Sequence, residues 1–141
     1  MRICGADLTG NDAVVCLLNL EDGQFNLPDC RVRKLTLIKE HTREDLQQFQ
    51  SAFAKLMDDY KVDRVAIKGR MTKGKFAGGA ISFKLESAIQ LISDIDVVVL
   101  SPMQIKSALT EKPLPIFFAD TGLKIFQEAA FTTAYAAHML K

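Results

Sequence analysis

Residues 1–20, MRICGADLTGNDAVVCLLNL, contain the pattern that decides the fold. Small and apolar residues alternate between the two sides of residues 1–8, and Asp7 is an acidic residue near the end of this otherwise apolar strand. A polar turn leads into a second apolar run over residues 12–20, so the pattern predicts a β-hairpin. Because a half-buried carboxylate is costly unless a cation faces it, Asp7 is the first candidate functional residue.

The composition predicts one domain over residues 1–141. A chain of this length with 48% hydrophobic residues can bury a core of its own. Its formal net charge of +1 excludes a global basic field, so any binding of nucleic acid must come from a local patch. The three cysteines lack CxxC spacing and are expected to be buried thiols. With no charged leader and no membrane-length apolar run, we expect a cytoplasmic protein without contact to a membrane.

The first half of the chain predicts three antiparallel strands followed by a crossover. A third strand is predicted over residues 31–39, next to the first hairpin. Thr42 begins a helix that has acidic residues in its first turn. A strand over residues 62–68 follows this helix and ends at Lys68, which is the pattern of a parallel crossover.

The second half predicts two helices around one more strand, and then a long final helix. A helix is predicted over residues 80–93, and the β-branched run of residues 96–100 predicts a strand covered on both faces. Ser101 begins the next helix with a capping pattern, and residues 121–141 form the last one. The fold class is therefore α/β: a mixed five-stranded sheet, with three antiparallel strands and then parallel crossovers, and helices on both faces.

The glycine-rich loop of residues 69–79 is the most basic segment. With the end of the preceding strand it carries four basic side chains in eight positions, among glycines that let backbone amides approach a phosphate. These candidate nucleic-acid-binding residues are Lys68, Arg70, Lys73 and Lys75. Residues 31–34 form a second basic cluster, for which a solvated strand face is an equally good interpretation. Such a modest patch predicts weak, salt-sensitive and sequence-independent binding.

Four segments resemble the RuvC-type Holliday-junction resolvases and their YqgF-like relatives, which belong to the ribonuclease H-like superfamily. GADLTGNDAVVCLL (5–18) resembles their first hairpin, and VAIKGRMTKGKFAGGAISFKLESA (65–88) is similar to their fourth strand, DNA-contacting loop and following helix. VVVLSPMQIKSAL (97–109) resembles their fifth strand and next helix, and QEAAFTTAYAAHM (127–139) resembles their last helix. The chain also resembles a short, uncharacterised bacterial family of this fold. The resemblance implies a ribonuclease H-like fold over nearly the whole chain.

In this fold, clustered carboxylates hold two divalent ions that hydrolyse a phosphodiester. The resemblance implies that Asp7 matches the first carboxylate and Glu128 the third. Lys68 stands where the fourth strand should present a glutamate, and Phe131 stands where the last helix should present its second acid. If the protein is active, its catalytic residues are Asp7, Glu128 and Lys68, and Asp7 and Glu128 hold Mg²⁺ or Mn²⁺. If it is inactive, we expect no cofactor.

Two functional interpretations follow from these replacements. An ammonium within ~4 Å of the acids repels a divalent ion by about 4 kcal/mol per unit of charge at an effective dielectric constant of 20. We therefore expect a salt bridge from Lys68 to Asp7, alone or together with Glu128, that closes the site. The protein is then a catalytically degenerate RuvC-like protein, which binds nucleic acid or a protein partner without cleavage. The alternative is an active divalent-metal-dependent nuclease or resolvase with an altered acidic residue set. Lys68 pointing to solvent, or acting beside the acids on one metal, stays open.

The remaining expectations concern partners, replacement metal ligands and a third interpretation of the fold. We expect a homodimer, and the aromatic segment of residues 116–118 is either a loop packed on the core or a subunit contact. Glu86 and Asp120 are candidate replacement ligands. A third interpretation treats residues 7–11 as a phosphate-binding hairpin of the actin and sugar-kinase type, but one domain of this length lacks the second lobe that such enzymes need.

Overall fold

A computed structural model describes residues 1–75 and 77–140, so Phe76 of the basic loop and Lys141 of the predicted last helix lie outside it. The strands are β1 (Arg2–Thr9), β2 (Asp12–Glu21), β3 (Gln24–Asn26), β4 (Lys34–Thr36), β5 (Arg64–Lys68) and β6 (Asp96–Leu100). The helices are α1 (Arg43–Asp59), α2 (Ala80–Gln90), α3 (Pro102–Glu111) and α4 (Glu128–Met139). Two short 3₁₀ turns, Phe118–Thr121 and Ile125–Gln127, precede α4.

The strands form one mixed sheet in the order β3-β2-β1-β5-β6, with β4 also paired to β2. β1 and β2 are antiparallel and joined by a tight turn in which Thr9 pairs with Asp12 and Gly10 has a φ of +60°. β1, β5 and β6 are parallel. The predicted first hairpin and the parallel crossovers are therefore confirmed.

Helices cover both faces of this sheet, as predicted. On one face, Phe53 of α1 and Leu85 of α2 pack with Ile67 of β5 in a buried core. On the other face, α4 packs against β1 and β2, and α3 packs against α4. α4 lies directly on β1, because a Cβ atom added to Gly5 would be 1.9 Å from the backbone oxygen of Ala130. Glycine at this position is what allows the helix to approach so closely.

The predicted third strand over residues 31–39 is wrong in its extent, and the part of the chain that the structure describes forms a six-stranded sheet where five strands were predicted. Only Lys34–Thr36 is extended as β4, and a separate short strand, β3, pairs with the other end of β2. Between the two, the buried side chain of Gln127 donates a hydrogen bond to the carbonyl oxygen of Val15, at 3.1 Å. A side chain from another segment thus takes the place of a continuous third strand along β2.

Two further expectations are corrected near the C-terminus. β6 was predicted to be covered on both faces, but it lies at the edge of the sheet, where Val99 is 39% exposed. The last helix begins at Glu128 and not at residue 121, because Gly122 adopts a left-handed conformation with a φ of +79° and the two 3₁₀ turns occupy the intervening residues.

Both predicted helix starts of α1 and α3 are confirmed. The side chain of Thr42 accepts a hydrogen bond from the backbone of Asp45 in a capping box. Ser101 and Gln104 form a second capping box, with Pro102 in the first turn. These starts are encoded locally, since all the groups that form them lie within four residues.

The cysteines are free thiols. Burial raises the pKa of the Cys16 thiol to about 12, so this group remains protonated at neutral pH. In the described ranges, 1–75 and 77–140, no helix is both long and apolar enough to span a membrane.

Candidate functional site

Asp7 lies near the carboxyl end of β1, on the face of the sheet that α4 covers. Ile3 and Gly5, which share this face of the strand, pack against α4. The carboxylate is half-buried, and this burial raises its pKa, while the positive charges of Lys68 and Arg70 lower it. Both charged side chains that shift the pKa of Asp7 are therefore positive.

Lys68 is the last residue of β5, which runs parallel to β1 with Ala6 beside Ile67. One residue further along, the same register places Lys68 beside Asp7, with both side chains on the α4 face. The predicted closed salt bridge is nevertheless absent: among the described residues, no lysine or arginine nitrogen lies within 4.0 Å of the Asp7 carboxylate. The Lys68 side chain is partly exposed to solvent, and its charge acts on Asp7 from a longer distance.

The beginning of α4 carries the two other positions at which the resemblance implies acids. Glu128 is the first residue of the helix, and its side chain is exposed. Phe131 is only 4% exposed, packs against Phe118 with a distance of 5.9 Å between ring centroids, and lines a cavity of about 490 Å³ with Leu18 and Tyr135. A packed aromatic ring therefore stands at the position of the second helix acid.

These residues do not fit the two-metal centre that the fold family implies. Within residues 1–75 and 77–140, no group of three or more His, Cys, Asp or Glu side chains could hold a metal ion. Mg²⁺ prefers octahedral coordination by oxygen, and two ions require several carboxylates between them. Asp7 and Glu128 are the acids that the resemblance assigns to this centre, and Lys68 contributes a positive charge where the resemblance implies a ligand.

Arg70 is turned toward α2 and is nearly buried, with 10% of its side chain exposed. Its Nη2 atom lies 3.0 Å from Oε1 of Glu86, and its Nε atom donates to Oγ of Ser82 at 3.1 Å. Its guanidinium carbon lies 4.6 Å from the centre of the Phe83 ring, and its Nη1 atom donates to the Lys68 carbonyl oxygen at 3.0 Å. This arrangement favours a role for Arg70 as the anchor of the loop, rather than the phosphate contact predicted from the sequence. It also engages Glu86, which was a candidate replacement ligand.

A backbone hydrogen bond joins the two ends of the basic loop that Arg70 anchors. The N–H group of Gly78 donates to the carbonyl oxygen of Met71 at 2.8 Å, and Gly74 has a φ of +101°. That left-handed conformation suits glycine, which has no Cβ atom. Lys73 and Lys75, on either side of Gly74, are exposed. The loop therefore presents these two lysines together at the surface.

The basic side chains of the second cluster, residues 31–34, lie in two different environments. Arg31 forms an ion pair with Asp59 at 2.8 Å. Lys34 lies 3.8 Å from the carboxylate of Asp12, and its Nζ atom is 5.8 Å from the centre of the Phe126 ring. Lys34 is thus a surface cation beside an aromatic side chain, and Arg31 is tied to α1.

Sequence reasoning missed Gln127, Phe126 and the pairing of Arg70 with Glu86. Gln127 lies 112 positions from the residue that its side chain contacts, and Phe126 meets Lys34 across a similar distance in the chain. Local patterns carry no signal for such contacts. The sequence shows an aromatic residue, Phe126, directly before Gln127. No local pattern, however, places the Phe126 ring beside Lys34 of β4.

Comparison with solved structures shows which fold this chain has. A structure of Thermus thermophilus RuvC is similar with a TM-score of 0.76 and 11% sequence identity, covering 99% of this chain and 94% of that chain. A structure of T. thermophilus RuvC in complex with a Holliday junction substrate has a TM-score of 0.74 and 12% identity, covering 99% and 93%. The chain therefore has the RuvC-like, ribonuclease H-like fold that the resemblance implies.

The sequence also identifies the family. Residues 1–137 match the family described as "Protein of unknown function (DUF3010)", and the chain belongs to that family. No curated protein matches it.

Proposed function

We propose that this chain is a catalytically degenerate RuvC-like protein that binds nucleic acid without cleaving it. The observation that carries the proposal is the position of Lys68, which the register of β5 and β1 places beside Asp7. The resemblance to RuvC-type resolvases implies a glutamate at this position, which would help to hold the metal ions of a two-metal centre. This chain has a cation there, on the same face of the sheet as Asp7.

Electrostatics argue against two-metal catalysis with these residues. A lysine ammonium about 5 Å from a divalent ion opposes the ion by about 3 kcal/mol per unit of ion charge at an effective dielectric constant of 20. Each such unit corresponds to a loss of more than about 100-fold in affinity. The position of the second helix acid is filled by Phe131, so no carboxylate there offsets this repulsion.

The exposed lysines support a nucleic-acid ligand. Lys73 and Lys75 are exposed in a loop that Arg70 anchors, and Lys68 lies at the base of this loop. Contacts of this kind release counterions from the phosphate backbone and carry no information about base sequence. With a net charge of only +1, binding is expected to be weak, salt-sensitive and independent of sequence. One RuvC structure of the same fold is a complex with a Holliday junction.

One observation favours the alternative, an active metal-dependent nuclease with an altered acidic residue set. Asp7 is half-buried and forms no ion pair within 4.0 Å among the described residues. Such a carboxylate is stabilised by any cation that reaches it, a metal ion included. In that case Asp7 and Glu128 would hold Mg²⁺ or Mn²⁺, and Lys68 would act beside them.

A cleavage assay separates the two functions. The protein and its Asp7→Asn variant are incubated with branched DNA, single-stranded DNA and RNA in Mg²⁺ or Mn²⁺. We expect no cleavage by the parent above the level of the variant, which is the matched control for contaminating nucleases. Metal-dependent cleavage that Asp7→Asn abolishes would overturn the degenerate interpretation and favour the enzyme.

The binding surface is tested with paired lysine variants. Replacing both Lys73 and Lys75 with alanine should weaken retention of nucleic acid and reduce the slope of log affinity against log salt by about 0.7 to 0.9 per lost phosphate contact. Replacing the exposed Lys39 and Lys106 removes the same charge elsewhere and should change little. If the parent retains no nucleic acid even at low salt, a protein partner becomes the better proposal.

A homodimer and a cytoplasmic location belong to the same proposal. Light scattering of the purified chain measures the first, and fractionation of cells measures the second.

A further inference from the structure

A row of strand-paired residues crosses the sheet through Asp7. Lys34 of β4 pairs with Val14 of β2, and Val14 pairs with Asp7 of β1. The register of β1 and β5, continued by one residue, adds Lys68 on the other side of Asp7. Because directly paired residues point to the same face of a sheet, Lys34 and Lys68 flank Asp7 on the α4 face. Three strand spacings separate the two lysines, a distance of about 14 Å.

Phe126 stands at the Lys34 end of this row. The Nζ atom of Lys34 lies 5.8 Å from the centre of its ring, within the range of a cation–π contact. Phe126 remains 48% exposed with Lys34 in this position. The next residue, Gln127, is 5% exposed and holds the segment to β2 through the Val15 carbonyl oxygen. The ring is therefore an exposed aromatic surface on a backbone that is fixed to the sheet.

We propose that Phe126 is a stacking platform for an unpaired base, and that Lys34 and Lys68 hold the phosphates of the same strand, so that the ligand of this protein is single-stranded nucleic acid. This inference rests on the proposed function and names its ligand class. A base can stack on a protein ring only when its own face is free, which a base inside a duplex does not offer. Proteins that bind single strands combine such rings with basic side chains that follow the backbone.

The acids around the row limit the contribution of the two lysines to binding. Asp12 lies 3.8 Å from the Lys34 ammonium, Asp7 lies between the two lysines, and Glu128 is exposed at the start of α4. These negative charges weaken the attraction of the face for phosphates in general. A strand without bases therefore gains little affinity from this face of the sheet. Stacking of a base on Phe126, in contrast, does not depend on the charge of the face.

The experiment measures the affinity of the full chain for a fluorescent single strand of about 12 nucleotides. The same measurement is made with a strand of equal length that lacks its bases and with the corresponding duplex. Phe126→Ala should weaken binding of the intact single strand by about 5- to 150-fold and leave binding of the base-free strand unchanged. Phe126→Tyr, which keeps the ring, should restore the affinity. DNA and RNA strands are compared in parallel, since stacking is available to both.

Phe117→Ala is the matched control. Phe117 is 81% exposed, and it follows Ile116, which lines a cavity with Leu18 at the other end of β2. Leu18 is four residues from Val14, about 13 Å along the strand, so removal of this ring should leave the affinity unchanged. The thermal midpoints of all variants are compared with that of the parent to establish that each is folded.

The outcomes distinguish this inference from the proposed function. If the parent binds the single strand and Phe126→Ala binds it equally well, the stacking platform is wrong and the binding function stands. Equal affinity of the parent for the duplex and the single strand would also overturn it. If the parent binds no nucleic acid at low salt, the proposed function itself is wrong.

Discussion

Lys68→Glu reverses a single charge beside Asp7 and introduces the residue type that the resemblance to RuvC-type resolvases implies there. The change removes an ammonium that opposes a divalent ion by about 3 kcal/mol per unit of ion charge at about 5 Å. It also adds a second carboxylate in the register of β1 and β5. We expect a dissociation constant for Mg²⁺ on the order of 1 mM in the variant, equivalent to about 4 kcal/mol, and much weaker binding in the parent.

Isothermal calorimetry with Mg²⁺ and Mn²⁺ measures this difference, and thermal unfolding gives a second readout. Two neighbouring carboxylates repel each other, so the metal-free Lys68→Glu variant should be less stable than the parent. Metal at about ten times the dissociation constant should raise the free energy of unfolding of this variant by about 1.4 kcal/mol and its thermal midpoint by about 4 °C. The parent should gain no such stability.

Two control variants separate the effects. Lys68→Met removes the ammonium without adding a ligand, so its affinity should lie between those of the parent and Lys68→Glu. Adding Asp7→Asn to Lys68→Glu should remove the new site. If the parent takes up Mg²⁺ as tightly as Lys68→Glu does, the Lys68 ammonium does not keep metal ions away from Asp7.

Two further predictions concern Asp7 and Gly5. Because burial raises the pKa of Asp7 above its ordinary value of 3.8, its ionisation opposes folding, and stability from this group is lost as pH rises through that raised pKa. Asp7→Asn should therefore gain stability over the parent as pH rises from about 3 to 7, and urea titrations that give no such trend would contradict this sign. Gly5→Ala should destabilise the fold by about 3 kcal/mol and lower the thermal midpoint by about 10 °C, since the added methyl meets the Ala130 backbone. Gly79→Ala, whose added Cβ has nothing within 4 Å, should cost about 1 kcal/mol or less, and equal effects of the two substitutions would count against direct packing of α4 on β1.

The features that were predicted from the sequence are those that depend on neighbours in the chain or on strand patterning. The hairpin of β1 and β2 follows from alternation and a turn, and the starts of α1 and α3 follow from the capping residues Thr42 and Ser101. These groups interact within a few residues, so the local pattern contains the whole interaction. The same holds for the adjacency of Asp7 and Lys68, which follows once the two strands are known to be parallel neighbours.

The features that were not predicted depend on contacts between distant segments. Residues 31–39 alternate as a strand should, but Gln127 takes up the Val15 carbonyl group, and the strand is confined to three residues. Arg70 was grouped with the exposed lysines because of its charge, and its burial depends on Glu86 of α2. Composition indicates how many basic residues a loop carries, whereas tertiary contacts decide which of them reach solvent.

The packing of Phe131 bears on how easily this chain could acquire a metal site in evolution. Phe131 lines a cavity with Leu18 and Tyr135 and packs against Phe118 with the two ring planes tilted by 53°. An aspartate placed there would bury an unpaired charge at a cost of several kcal/mol, a large part of the stability of a small domain. A glutamate at Lys68 would replace a partly exposed side chain, whereas an acid at Phe131 requires the neighbours of Phe131 to be rebuilt first. A carboxylate at this position of α4 is therefore hard to acquire by single substitutions.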